Sequence, residues 1–303
     1  MRGAGVPKQL SLSYYPWITQ SISGEPLRLA IDKFRGLLET ALRQGMGNSV
    51  ELKLQPAMEV PAQLDDMKQK PVGEVVCKIG LLNPIGYAIA HAATPAVEAV
   101  AVIRRKIPGV QDAAAPTYRA QLYVRAGSPI KTVSDVTGHS MGFGSRQSTS
   151  NFLVPATMLW EQGIHPLNGF SRVEFTGGHD KSAVAVYQSK VDVGAGHDGV
   201  IIDLATKPGF SDAKKVLVNI GWSEPIPSDP VAVHSADPAV SQQVAQALMQ
   251  VANTKDGTSP GNLAVKEFWG TTEGFEAISA DAYAPLLRMF YPLGLRPADM
   301  VRK

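Results

Sequence analysis

Three hydroxyl residues in a row, Ser148, Thr149 and Ser150, stand between a short apolar run and a helical apolar pattern in "FGSRQSTSNFLVP" (143–155). The first main-chain N–H groups of a helix have no partner within the helix, and its aligned peptide dipoles leave that end positive. Such a position suits an anion, and hydroxyls add groups that both donate and accept. A Ser/Thr cap needs one hydroxyl. Three of them beside Arg146 and Gln147 exceed capping and point to a bound ligand.

Two further segments place polar residues where a strand should end. In "TGGHDKSAVAVYQ" (176–188), two glycines release the chain and His179 with Asp180 opens a helix. Asp180 favours the positive end of that helix and reads as a first-turn residue, whereas His179 offers a donor for an oxyanion. "VGAGHDGVI" (193–201) repeats the placement with His197 and Asp198. Local hydrogen bonding in a polar loop explains each His–Asp pair equally well. A metal site with nitrogen and oxygen ligands has no supporting ligand spacing. The doubled Gly-His-Asp (178–180 and 196–198) is too short to be a repeat. "GAGHDG" (194–199) matches dinucleotide glycine spacing by letter but lacks the downstream acidic residue. No G-x-S-x-G elbow occurs, which leaves nucleophilic catalysis with little support.

Cys77 is the sole cysteine, which excludes an internal disulfide and a thiolate-rich cluster. It lies in "GEVVCKIGLLNPIGYAIAH" (73–91), upstream of Tyr87. Two readings stand: a buried small hydrophobe, or a thiol kept single for its chemistry. "LSYYPWITQ" (12–20) puts Tyr14, Tyr15 and Trp17 at the end of a first strand. There they either wall a cleft and lend a phenol, or pack a hinge.

The elements that would position these groups alternate. Strand-like "LSLSYY" precedes an amphipathic helix with Ile31, Phe34, Leu37, Leu38, Ala41 and Leu42 at spacings of three and four. "SVELKLQP", "EVVCKIGLL" and "AVEAVAVIRR" read as strands, with a helix opening near Pro61. A second set follows: "YRAQLYVRAGSPI", "SMGFGS", a helix from about 150, "RVEFTGG", a helix near 180–189, "KVDVGAG" and "KKVLVNIGW". "IPSDPVAVH" carries another strand, and long helices are expected near 238–253 and 279–292. This alternation implies an α/β fold with doubly wound sheets in two lobes, with ligands at the carboxyl ends of strands. The division expected is 1–124 with 229–303 as lobe I and 125–228 as lobe II, joined by two hinge strands.

Net charge is +2 and no block of like charges occurs, which excludes nucleic acid as the main partner. No apolar run reaches membrane-spanning length. The N-terminal "MRGAGVPKQL" has no apolar signal region, so the chain is expected either to be cytoplasmic or to begin after a cleavage site.

Taken together, these segments resemble the phosphonate/phosphite-binding (PhnD-type) family of periplasmic solute-binding proteins. "NPIGY" looks like the family's strand-end Gly-Pro-x-x-Tyr, with Asn83 in place of glycine. "SRQSTSNFLVP" looks like its Ser-Thr-Ser helix start, and "GGHDKSAVAVYQSKVDVGAGHD" like its Gly-x-His helix and following strand. "SEPIPSDPVAV" is similar to its return to the first lobe. The resemblance implies a two-lobed type II periplasmic-binding-protein fold, each lobe a mixed sheet flanked by helices, closing on a small oxyanion without catalysis or cofactor. It implies Tyr87, Ser148, Thr149, Ser150, His179, Asp198 and Asp229 as ligand-binding residues, to which the aromatic strand end adds Tyr15. Cys77 departs from the family pattern and is similar to the single cysteine of the arsenite-sensing (AioX-like) branch. Arsenous acid is mostly neutral near pH 7, and a soft thiolate suits trivalent arsenic. The expectation is a periplasmic protein that binds arsenite through Cys77 and signals to a membrane sensor histidine kinase. The alternative is the receptor for phosphonate or phosphite of an ABC permease.

Overall fold

The computed structural model describes residues 8–19, 21–252 and 257–297. By contacts the chain forms two compact units. Of the described residues, one unit contains those up to Pro116 and those within Pro227–Ala284; the other contains Thr117–Ile226 and those from Pro285 to 297. The chain thus passes between units at 116/117, 226/227 and 284/285.

The first unit starts with β1 (Lys8–Ser13), α1 (Gly24–Met46), β2 (Val50–Leu54), α2 (Val60–Lys68), β3 (Val75–Leu81), α3 (Pro84–Ala93) and β4 (Val97–Arg105). In α1 the expected stripe forms, with Leu27, Ile31, Phe34, Leu38 and Leu42 buried on one face. Pro61 lies in the first turn of α2, where its missing N–H costs nothing.

The second unit holds β5 (Thr117–Tyr118), β6 (Ala120–Arg125), β7 (Ser140–Phe143) and a π-helical turn (Thr149–Leu153) that runs into α4 (Val154–Glu161). It continues with β8 (Arg172–Phe175), α5 (His179–Tyr187), β9 (Val193–His197), α6 (Val200–Ala205), α7 (Ala213–Val216) and β10 (Leu217–Trp222). The chain then returns through β11 (Ile226–Pro227) to β12 (Pro230–Ser235), α8 (Pro238–Val251), α9 (Pro260–Trp269) and β13 (Thr272–Glu276), and α10 (Ala284–Arg288) follows.

The first unit carries a six-stranded sheet in the order β13-β4-β12-β3-β1-β2. β1 runs parallel to β2 and β3, while β12 is antiparallel to β3 and β4. Side-chain alternation splits its helices into two layers. Lys78 reaches Asp66, and Gly80 faces Met67, so that face of β3 packs on α2. The opposite face, with Leu10, Cys77 and Ile79, belongs to the layer of α1, α8 and α9.

The second unit has a five-stranded sheet ordered β10-β6-β9-β7-β8, with β7 parallel to both β8 and β9. Tyr123 centres one of its faces among Val186, Val200 and Leu204. Gly194 and Gly196 leave space for that ring: a Cβ at Gly194 would stand 2.4 Å from it. The "GAGHDG" glycines therefore serve packing between β6 and β9.

The stretch 279–292 forms no long helix. Pro285 interrupts it, leaving a 3-10 turn (Ala280–Tyr283) and the short α10. α9 and β13 form where the apolar spacing predicts no element. A β13 register shift between Thr272 and Phe275 accompanies Gly274 at φ +105°, which explains its weak alternation.

Candidate functional site

In the second unit, three strand ends converge on the hydroxyl loop because β7 lies between β9 and β8. Past Phe143, Gly144 lets the Asn151 side chain fold back over the backbone; a Cβ there would stand 1.5 Å from Asn151 Oδ1. The Asn151 amide donates to the Ala195 carbonyl on β9, and Gly144 N–H donates to the Asn151 carbonyl at 3.3 Å. Ser148 caps the helix by accepting the Asn151 N–H on Oγ at 3.1 Å. The first turn is π-helical: Leu153 N–H donates to the Ser148 carbonyl at 3.2 Å, five residues back. Ser148, Thr149 and Ser150 are all buried.

A second loop is clipped to the first. Thr176 Oγ1 donates to the Phe143 carbonyl at 2.9 Å, and Gly177 N–H donates to the Gly144 carbonyl at 2.9 Å. Gly177 does so at φ +92°, a conformation that favours glycine. This brings His179, the first residue of α5, to Ser148, with Nε2 3.4 Å from Oγ. The other ring nitrogen, Nδ1, accepts the His197 main-chain N–H at 3.2 Å. The His179 and His197 rings meet edge to face at 4.7 Å, so the two Gly-His-Asp segments adjoin in space. His197 Nδ1 accepts the Gly199 N–H at 3.1 Å, and its Nε2 lies 3.5 Å from Asp203 Oδ2.

The carboxylates here are already engaged. Asp198 Oδ2 accepts the Arg119 N–H at 3.0 Å, and Asp180 pairs with Lys207 at 2.9 Å. Arg146 lies over the Phe175 ring at 4.1 Å, which keeps a positive charge on this loop. Hydroxyls, imidazoles and the starts of two helices together favour an anion. Among the described residues, no group of three His, Cys, Asp or Glu is placed to hold a metal ion.

The first unit holds the remaining expected residues. Cys77 sits mid-strand in β3, in register with Leu10 and Ser235, at 0% exposure. Its thiol contacts the Lys78 carbonyl at 3.7 Å, and burial pushes its pKa up to about 12. At this placement the thiol lies in the layer of α1, α8 and α9, away from the thiolate form that binding of trivalent arsenic was expected to use.

Tyr87 is also fully buried. Its Oη accepts the Ala99 N–H at 3.0 Å, and its ring packs on Tyr283 at 4.8 Å. Desolvation pushes its phenol up to about 12. Asn83 takes the place of the family's glycine by capping α3, with Oδ1 accepting the Gly86 N–H at 2.7 Å. Tyr15 is buried just past β1, with its ring 4.6 Å from that of Trp17. Asp229 lies between β11 and β12, where desolvation pushes its carboxyl up to about 6 against the opposing charge of Arg105.

Gly144, Asn151 and His197 were not among the expected site residues. Their roles depend on contacts between β7, β9 and α5, and His197 alone had a sequence signal, the strand-end Gly-His-Asp.

The pattern of the phosphonate-binding family, described as "ABC transporter, phosphonate, periplasmic substrate-binding protein", matches residues 31–283. Among solved structures, PhnD1 from Prochlorococcus marinus in complex with methylphosphonate is 16% identical, with 95% of this chain and 99% of that chain covered and a TM-score of 0.70. A binding protein component of an ABC phosphonate transporter from Pseudomonas aeruginosa is 18% identical, covering 94% and 87%, with a TM-score of 0.64. The Xanthomonas citri protein XAC2383, solved with chloride, is 19% identical, covering 96% and 99%, with a TM-score of 0.71. At such identities these structures establish the fold, the mixed α/β two-lobed periplasmic-binding-protein architecture. The family match spans most of the sequence, and the chain belongs to the phosphonate-binding family of periplasmic substrate-binding proteins of ABC transporters.

Proposed function

We propose that this protein captures a small phosphorus oxyanion, a phosphonate or phosphite, and delivers it to an ABC permease in the membrane. Ser148, Thr149, Ser150 and His179 form the corner that receives the anion's oxygens. The observation carrying this reading is the buried Ser148–Ser150 turn at a helix start with His179 3.4 Å from Ser148. The methylphosphonate in the Prochlorococcus relative supports the ligand class.

Calorimetry with methylphosphonate, aminoethylphosphonate, phosphite, phosphate and arsenite tests it. At least one phosphonate or phosphite should bind saturably, and Thr149→Ala should weaken it about tenfold, the loss of one charge-assisted hydrogen bond. Saturable arsenite binding that Cys77→Ser abolishes, with no heat from any phosphorus oxyanion, would refute it.

A further inference from the structure

We infer that β10 is a docking edge for a second copy of this chain, the two β10 strands pairing antiparallel about a two-fold axis so that the five-stranded sheet continues across two molecules. The inference stands apart from the oxyanion reading, because β6 and β9 separate β10 from β7 and the hydroxyl corner.

Four strands end the two larger sheets, and three of them are guarded against pairing. β13 carries Glu273 and Glu276. β2 carries Glu51 and Lys53 and is covered by side chains of α1. β8 carries Arg172 and Glu174, paired at 3.0 Å. Charges on an edge strand oppose the approach of another strand. β10 reads LVNIGW, without a charge, and leaves Val218 40% and Trp222 43% exposed. The Asn219 amide turns back into its own sheet, donating to Gln121 Oε1 at 3.1 Å and to the Gly221 carbonyl at 3.2 Å.

The main chain sets which pairing fits. Ala126 N–H donates to the Val216 carbonyl at 2.7 Å, and Ser223 N–H donates to the Ala120 carbonyl at 2.9 Å, so Val216 and Ser223 face β6. Antiparallel alternation then turns the main-chain groups of Leu217 and Trp222 to the open side. These two lie an odd number of positions apart, and in a regular strand they would face opposite ways. The register shift between Asn219 and Gly221 brings them to one side. A two-fold axis between Asn219 and Ile220 sets Leu217 of each copy against Trp222 of the other, and the interface closes at two molecules. Each Trp222 ring then covers the other copy's sheet edge at Leu217, where Phe210 and Val216 are only partly buried.

Charge selects the same direction. Lys214 and Lys215 precede the strand and Glu224 follows it, and all three are exposed. Antiparallel pairing lays the lysines of one copy against Glu224 of the other, twice over. Parallel pairing would set like charges together.

Sedimentation velocity on the native chain tests the edge. Monomer should pass to dimer between about 1 μM and about 1 mM, the range of a small interface. Val218→Lys and Trp222→Lys each place a charge on the edge and should weaken the dimer about tenfold or more, with the circular dichroism spectrum unchanged. Lys215→Glu should weaken it about threefold, and adding Glu224→Lys should restore it to within about twofold. A native chain that stays monomeric across this range overturns the proposal. So does a dimer that both edge lysines leave at native affinity, or a charge exchange that fails to restore what Lys215→Glu lost.

Discussion

Cys77 takes its meaning from the residues around it in β3. Lys78 and Gly80 face α2, so alternation turns Cys77 to the other face, beside Leu10. There sulfur is a small apolar filler, and the loss of solvation that pushes its pKa to about 12 removes its reactivity as well. Cys77→Ala should cost about 1 kcal/mol of stability, the loss of one well-packed atom. Phosphonate affinity should stay within twofold of native. A thiol reagent should react on the timescale of opening rather than of diffusion. Stoichiometric labelling within seconds under native conditions would contradict the buried placement. The contrast with Ser148 is physical. A hydroxyl at a helix start is useful because it is wired to neighbouring donors, whereas a thiol in mid-sheet has only a carbonyl at 3.7 Å.

Elements show which features the sequence carries openly. β2 ends the six-stranded sheet, and an unpaired strand edge invites pairing with another chain. Here α1 covers it. Leu52 N–H donates to Glu39 Oε2 at 2.9 Å, and Arg43 Nε donates to the Val50 carbonyl at 3.0 Å. Glu39 also pairs with Arg35 and Arg43 at 3.0 and 2.6 Å. Glu39→Ala strips the N–H of its acceptor and Arg43 of its carboxylate, and leaves Arg35 with Asp32 alone. It should lower stability by about 1–3 kcal/mol and increase self-association. Glu39→Gln, which keeps the acceptor, should lose less; equal denaturation midpoints and light scattering for native and Glu39→Ala protein would refute the edge role. The alternation of strands and helices was legible because apolar spacing of two or of three and four is local. The π-helical turn was not, since it depends on Asn151 folding over Gly144 and reaching β9. The meeting of His179 and His197 was equally hidden: it needs β9 beside β7 and β7 beside β8, an order no local pattern encodes. The hydroxyl run itself was visible, because three adjacent hydroxyls at a helix start exceed what a cap uses.

At the scale of the whole molecule, the chain re-enters the first unit at Pro227, and Asp229 stands two residues on. Its main-chain carbonyl accepts the Ile103 N–H at 3.2 Å, which ties the returning strand to β4. Its carboxyl is pushed from 3.8 up to about 6 by desolvation, with Arg105 pulling the other way. The folded chain therefore keeps this proton at pH values where the unfolded chain has released it. Below about pH 4 both states hold the proton, and the buried group carries no penalty. As pH rises from about 4 to about 6, the unfolded state gains from ionising first and the folded state loses stability. The loss is at most about 3 kcal/mol, less where solvent screens the group. Asp229→Asn removes the ionisation altogether. Melting temperatures of native and Asp229→Asn protein should draw together near pH 4. Above pH 6 the native chain should fall relative to the variant. A difference between them that stays constant from pH 4 to pH 7 would show that Asp229 ionises in the folded chain as easily as in the unfolded one.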